Sequence, residues 1–155
     1  MWSQTESSYA RPLLRSKLHL PRAPAATVHR REVLDRLQGG LDRALTLISA
    51  PAGSGKTTLL STWLAGQSCL AIWISLDPSD SQLTTFLYYF VAAIQTVAPG
   101  FGHATLGLLS LPQLPPVDYV SATLLDELAA LSEEAIVVID DYHAIQDPSI
   151  SALVS

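Results

Sequence analysis

Apolar residues recur along this chain at two spacings, and the switches between them predict its elements. In RREVLDRLQ (30 to 38), Val33, Leu34 and Leu37 share one helical face, and Gly39 and Gly40 end that helix. RALTLIS (43 to 49) has the look of a short buried strand, TLLSTWLA (58 to 65) of a helix ending at Gly66, and CLAIWISL (69 to 76) of a second strand closed by DPSD. A helix is expected from Leu83 to Val97, halted by Pro99 and Gly100. Residues 99 to 117 form a Gly- and Pro-rich connection whose LPQLPP is its stiffest part, a rigid linker rather than a peptide ligand because no basic residues flank it. Val117 to Leu131 predicts another helix and AIVVID (135 to 140) a third strand. Asp147 and Pro148 suit the N-cap and first turn of a last helix carrying Ile150, Leu153 and Val154. Strands alternating with helices argue for a parallel sheet covered by helices, an α/β fold.

Composition narrows the class. With 155 residues, 48% hydrophobic and only 15% charged, the chain has apolar material for one core, and a charge-rich disordered or collagenous chain is excluded. Residues 1 to 27 are polar, basic and proline-bearing, and are expected to form a basic tail before a domain spanning 28 to 155. The single Cys69 excludes an internal disulfide and a cysteine-cluster zinc site, and suits a reducing, cytoplasmic setting. MWSQTESSYARPLLRSK has no apolar core of a secretory signal. The charge-free run FLYYFVAAI spans 9 residues, against the roughly 20 needed to cross a bilayer, so no membrane role is expected.

Charge is unevenly placed. Residues 1 to 43 carry eight bases and four acids, a net of +4, whereas the remainder carries ten acids and one base, a net of −9. That base is Lys56. A lone cation in an acidic, apolar stretch needs a local reason, since surfaces normally mix both signs.

The reason lies in its neighbours. Ala50, Pro51, Ala52, Gly53, Ser54, Gly55, Lys56, Thr57 and Thr58 connect an expected strand to an expected helix. Gly53 and Gly55 allow the backbone to curl so that successive N–H groups face phosphate oxygens, and the helix N-terminus adds to that field. Lys56 is placed to reach β and γ phosphates, and the Thr57 hydroxyl to ligate Mg²⁺ between them. The pattern departs from GxxxxGK[ST] in having Ala50 where the first glycine stands. AIVVIDDYH then delivers Asp140 and Asp141 at the carboxyl end of a strand, the sheet edge where ligands bind. Asp140 is the candidate metal residue, and Asp141 the candidate catalytic residue orienting, or taking a proton from, an attacking water.

Four ordered segments, KLHLPRAPAATVHRREVLDRL, APAGSGKTTLLSTWL, AIWISLDPSD and VVIDDYHAI, together resemble the ATPase module of large ATP-dependent LuxR-type transcription regulators, the maltose-activator branch of the STAND signal-transduction P-loop ATPases. The resemblance runs from about residue 17 to 155 and implies a P-loop NTPase sheet, with ATP and Mg²⁺ as cofactors and self-association in the full-length protein. Lys56 and Thr57 then match the phosphate and magnesium residues of the Walker A loop, and Asp140 and Asp141 the metal and water residues of Walker B. Val28 and Arg30 fall in the segment beside adenine, though a surface arginine opening a helix accounts equally well for Arg30. Asp77 and Asp80 match the acidic turn after the second strand, where capping is the simpler role. His143 reads as a turn or packing residue, and Trp63, Cys69 and Trp73 as core. The resemblance also implies a further strand between the phosphate-loop strand and the acidic strand. Without it, segments 43 to 49 and 135 to 140 flank an empty slot, and the chain is expected to be a truncated, incomplete part of the domain.

The expected function is Mg-ATP binding with slow hydrolysis as a conformational switch. A small-molecule P-loop kinase is the alternative enzyme, disfavoured because residues 57 to 155 hold no Lys or Arg for a phosphate-acceptor pocket or lid. A non-catalytic nucleotide-binding interaction fragment is the other alternative. A GTPase is disfavoured because the chain contains no Asn for a guanine-reading motif. DNA binding by this acidic segment is not expected.

Overall fold

The computed structural model describes residues 13–22, 30–43 and 45–154. Two strands, β1 (Leu70–Ser75) and β2 (Ala135–Asp140), pair in parallel with Leu70 opposite Ala135 and Ser75 opposite Asp140. Helices α1 (Arg31–Gly39) and α2 (Lys56–Leu64) precede β1; α3 (Leu83–Gln95), α4 (His103–Leu109) and α5 (Val117–Ala129) lie between the strands; α6 (Pro148–Val154) follows β2. Single 3₁₀ turns occur at Arg15–Leu18, Pro78–Asp80 and Tyr142–Ala144.

Strand alternation sorts the side chains into two clusters. Ile72, Ile74, Val137 and Ile139 face α3 to α6, where Phe86, Leu87, Val91, Ile94, Val120 and Ile150 are almost fully buried. Trp73 and Val138 face the other way, onto Leu37 of α1 and Leu60 and Leu64 of α2. The result is three layers: the crossover from β1 to β2 lays α3 to α5 on one face of the parallel pair, and α1 and α2 cover the other. Burying each of the large apolar side chains contributes about 1.5–3 kcal/mol. Helix α3 is apolar on nearly every side because β1, α4, α6 and the 3₁₀ turn at Arg15–Leu18 all contact it. The N-terminus of α6 is closed as its sequence predicts. Asp147 Oδ1 accepts from Ser149 N at 2.9 Å and from Ser149 Oγ at 2.6 Å, and these bonds hold the Asp147 pKa below the ordinary carboxylate value.

Two expectations are corrected. Segment 43 to 49 forms no strand among the described residues: 45–50 are irregular, with Leu45 55% and Leu47 80% exposed. A strand exists through its ladder, and among the described residues this segment has no strand alongside to pair with. It borders a cavity whose opposite wall is β2. Among the described residues the sheet therefore has two strands where the sequence predicts three. The 99 to 117 connection, in turn, contains α4. That helix is stabilised from outside its own sequence: Glu127 of α5 accepts from Ala104 N (2.9 Å), Thr105 N (3.1 Å) and Thr105 Oγ1 (2.6 Å). Burial alone would raise the Glu127 pKa, but these three hydrogen bonds outweigh it and hold the carboxylate low.

Candidate functional site

The glycine loop enters α2 with both glycines in the left-handed region, Gly53 at φ 75° and Gly55 at φ 79°, the latter as N-cap. A side chain at either position would strain the backbone, so glycine supplies the turn. Ser54 N donates to Pro51 O at 3.2 Å and Leu59 N to Gly55 O at 2.9 Å, which closes the loop and starts the helix. Lys56 folds back over the loop and donates to Ala50 O (2.6 Å) and Pro51 O (3.0 Å). The Ser54 hydroxyl is buried and makes no hydrogen bond among the described residues.

The second half arrives 83 positions later. Thr57 Oγ1, in the first turn of α2, donates to Asp140 Oδ2 at the end of β2 across 2.8 Å. Asp140 Oδ1 accepts from Asp141 N at 3.0 Å, so both carboxylate oxygens are engaged. Asp141 adopts φ 57°, the positive-φ non-glycine residue among those described, and its half-exposed carboxylate lies 3.9 Å from His143 Nδ1. An Asp tolerates this conformation better than most residues, yet it persists only where the surroundings fix it. A cavity of about 700 Å³ lies between residues 45–50 and β2, and its wall includes Ala50, Ala52, Lys56, Asp140 and Asp141.

The structure thus brings Lys56, Thr57, Asp140 and Asp141 to one edge of the sheet. Arg30 is exposed and serves as N-cap of α1, its carbonyl accepting from Val33 N and Leu34 N. Val28 lies outside the described residues. Trp73 is core, whereas Trp63 and Cys69 are partly exposed. Trp63 Nε1 donates to Gln38 of α1 at 3.3 Å. His143 sits in the turn after Asp141 with its side chain 83% exposed, so it does not pack.

Sequence reasoning missed Lys17. Its ammonium lies 2.6 Å from Asp77 Oδ2, 2.5 Å from Asp80 Oδ2 and 4.9 Å from the centre of the Tyr89 ring. Asp77 and Asp80 also form a reciprocal capping box: Asp77 accepts from Ser79 N and Asp80 from Asp77 N. Burial by itself would lower the Lys17 pKa, but hydrogen bonds to Asp77 and Asp80 reverse this and raise it. The Lys17 hydrogen bond, with help from Ser79, pulls Asp77 from 3.8 to about 2. The signal was weak because Lys17 and Asp80 are 63 positions apart.

The arrangement is that of an α/β protein with a glycine loop and an acidic strand end facing one cleft. No family model matches the chain. Comparison with known proteins shows what such a chain is similar to. It is 41% identical over 138 residues to the HTH-type transcriptional regulator MalT of Cronobacter sakazakii and 40% identical over 138 residues to MalT of Klebsiella pneumoniae. Each match covers 89% of this chain and 15% of the relative's length. The resemblance to maltose-activator regulators of the LuxR type holds across nearly the whole chain. No helix among the described residues is long and apolar enough to cross a membrane.

Proposed function

We propose that this chain is the Mg-ATP-binding module of a LuxR-type transcription regulator, in which slow hydrolysis resets a conformational switch. The observation that carries the reading is the Thr57–Asp140 hydrogen bond, which joins the helix of the glycine loop to the acidic strand end. Hydroxyl and carboxylate oxygens are the donor set that Mg²⁺ prefers, and two protein oxygens suffice when phosphates and water fill the rest. Thr57 and Asp140 would hold the ion, which would supply charge neutralisation for the triphosphate. Lys56 leaves its carbonyl contacts for the triphosphate, a stronger charge-assisted partner. The backbone N–H groups of residues 53 to 57 surround the phosphates. Asp141 orients a water for attack on the γ-phosphate.

Switching needs two states that bind nucleotide differently, and the domains of the complete regulator provide the second. Self-association and DNA binding belong to that complete, cytoplasmic protein, with DNA contacts outside this acidic segment.

Titration calorimetry of the full-length protein tests the proposal. ATP with Mg²⁺ should give a saturable heat whose affinity Lys56→Ala lowers about 10- to 100-fold and Asp140→Asn renders insensitive to Mg²⁺. Identical heats for the wild type and Lys56→Ala would overturn it. Single-turnover assays separate the alternatives: phosphate release supports the switch, transfer to an added acceptor indicates a kinase, and bound but unhydrolysed ATP indicates a binding module.

A further inference from the structure

The loop that presents the two carboxylates is fastened at both ends to the acidic turn after β1. Before the loop, Leu76 N donates to Asp140 O at 3.1 Å; after it, Ser81 Oγ donates to Ala144 O at 3.2 Å across 63 positions. Between these ties Asp141 holds its left-handed backbone. The turn that makes both ties, residues 76 to 81, is itself assembled around a cation from elsewhere. Asp80, 1% exposed, accepts from Lys17 and from Asp77 N, and Asp77 supplies a second carboxylate to the same ammonium. Lys17 reaches in from a short strap, residues 13 to 20, that packs on β1 and α3 and is tied by Leu14 N to Tyr89 Oη at 3.2 Å.

We propose that Lys17 is a positioning residue for the nucleotide site: by locking turn 76–81 it fixes residues 140 to 144, and with them the directions of the Asp140 and Asp141 carboxylates. The strap is thereby a control point. Whatever pulls residues 13 to 20 away loosens the carboxylate loop while leaving the glycine loop intact. The electrostatics support the direction of this coupling. Asp77 and Asp80 without Lys17 are two carboxylates in one tight turn, one of them buried, and they would separate or draw in solvent. A strained residue such as Asp141 relaxes when its fixed ends are released. The consequence for nucleotide rests on the function proposed above; the mechanical link between strap and loop does not.

The test therefore has two readouts on the full chain. Amide hydrogen exchange follows Ala144 N and Ile145 N, bonded to Asp141 O and Tyr142 O in the folded loop. Lys17→Met should speed their exchange about tenfold or more beyond the acceleration that its loss of global stability brings to α4 and α5. Lys17→Arg, which keeps a cation in the cage, should restore protection. In calorimetry, Lys17→Met should raise the Mg²⁺ concentration needed for tight ATP binding and leave Mg-free ATP affinity within about twofold, since Lys56 and its loop are untouched. Should Lys17→Met not fold, Ser81→Ala removes a single tie and should by itself accelerate exchange at 142 to 145. Wild-type exchange at these amides in the folded variants, or acceleration spread evenly over the domain, would overturn the proposal. Absence of ATP binding by the wild type would overturn the nucleotide reading alone, and the exchange comparison would still decide the role of Lys17.

Discussion

The chain has only two lysines, Lys17 and Lys56, and they sit in opposite surroundings. Lys17, with its side chain 11% exposed, is enclosed by two carboxylates and an aromatic face. Lys56 is partly exposed, makes no ion pair among the described residues, and rests on two carbonyl oxygens of its own loop. A cation neutralised by the protein's own anions is committed to holding the fold, and removing it strands buried charge. A cation held only by neutral carbonyls keeps its charge for an incoming anion. The same residue type is therefore committed to carboxylates at Lys17 and bound only to neutral carbonyl oxygens at Lys56. Sequence charge counting singled out the second and overlooked the first.

Breaking each side of this contrast should have different consequences. The largest effect on ligand binding is expected from Lys56→Ala, which should weaken ATP affinity about 10- to 100-fold, the worth of one charge-assisted contact. Its thermal unfolding should stay close to the wild type, and calorimetry with thermal melts checks both. Lys17→Met should do the reverse and cost about 3 kcal/mol of stability, because Asp80 is left buried without its partner. Chemical denaturation measures that loss, and an unchanged midpoint would erase the contrast. Glu127→Ala, a residue bonded to α4 rather than to either lysine, should cost about 1 kcal/mol by uncapping α4 and leave ATP affinity unaltered, which tests whether stability and binding separate as described.

The smallest effect sharpens the Lys17 side through pH. Because the Asp77 pKa is depressed from 3.8 to about 2 in the folded chain, its stabilisation is complete above the unfolded value and is lost as pH falls from about 4 toward 2. Asp77 is half exposed, so solvent screens part of the gain. Melts at pH 5 and pH 2.5 should lose less stability on acidification for Asp77→Asn than for the wild type. Equal losses would remove Asp77 from the cage.

Local chemistry made much of this molecule readable in one dimension. Strand β2 falls on AIVVID with both ends as expected, because an apolar run bounded by acids admits little else. Helix α3 begins at Leu83 as expected, and α6 opens at Asp147 and Pro148 because cap and first turn are short-range features. The glycine loop was legible for the same reason: Gly53, Gly55, Lys56 and Thr57 act within a few residues of one another. Residues 45–50 failed as a strand because pairing is decided by what lies alongside, and α4 escaped notice because its N-terminus is satisfied by Glu127 rather than by its own sequence.

By itself, then, the sequence determined the periodicities, the turns and the glycine loop that opens α2, each set by neighbours along the chain. Only the tertiary structure decided which distant groups meet. Thr57 finds Asp140, Ser81 finds Ala144 and Lys17 finds Asp80. These meetings cost loop-closure entropy that no local preference supplies, and they become favourable only when the packed layers bring the partners together out of water.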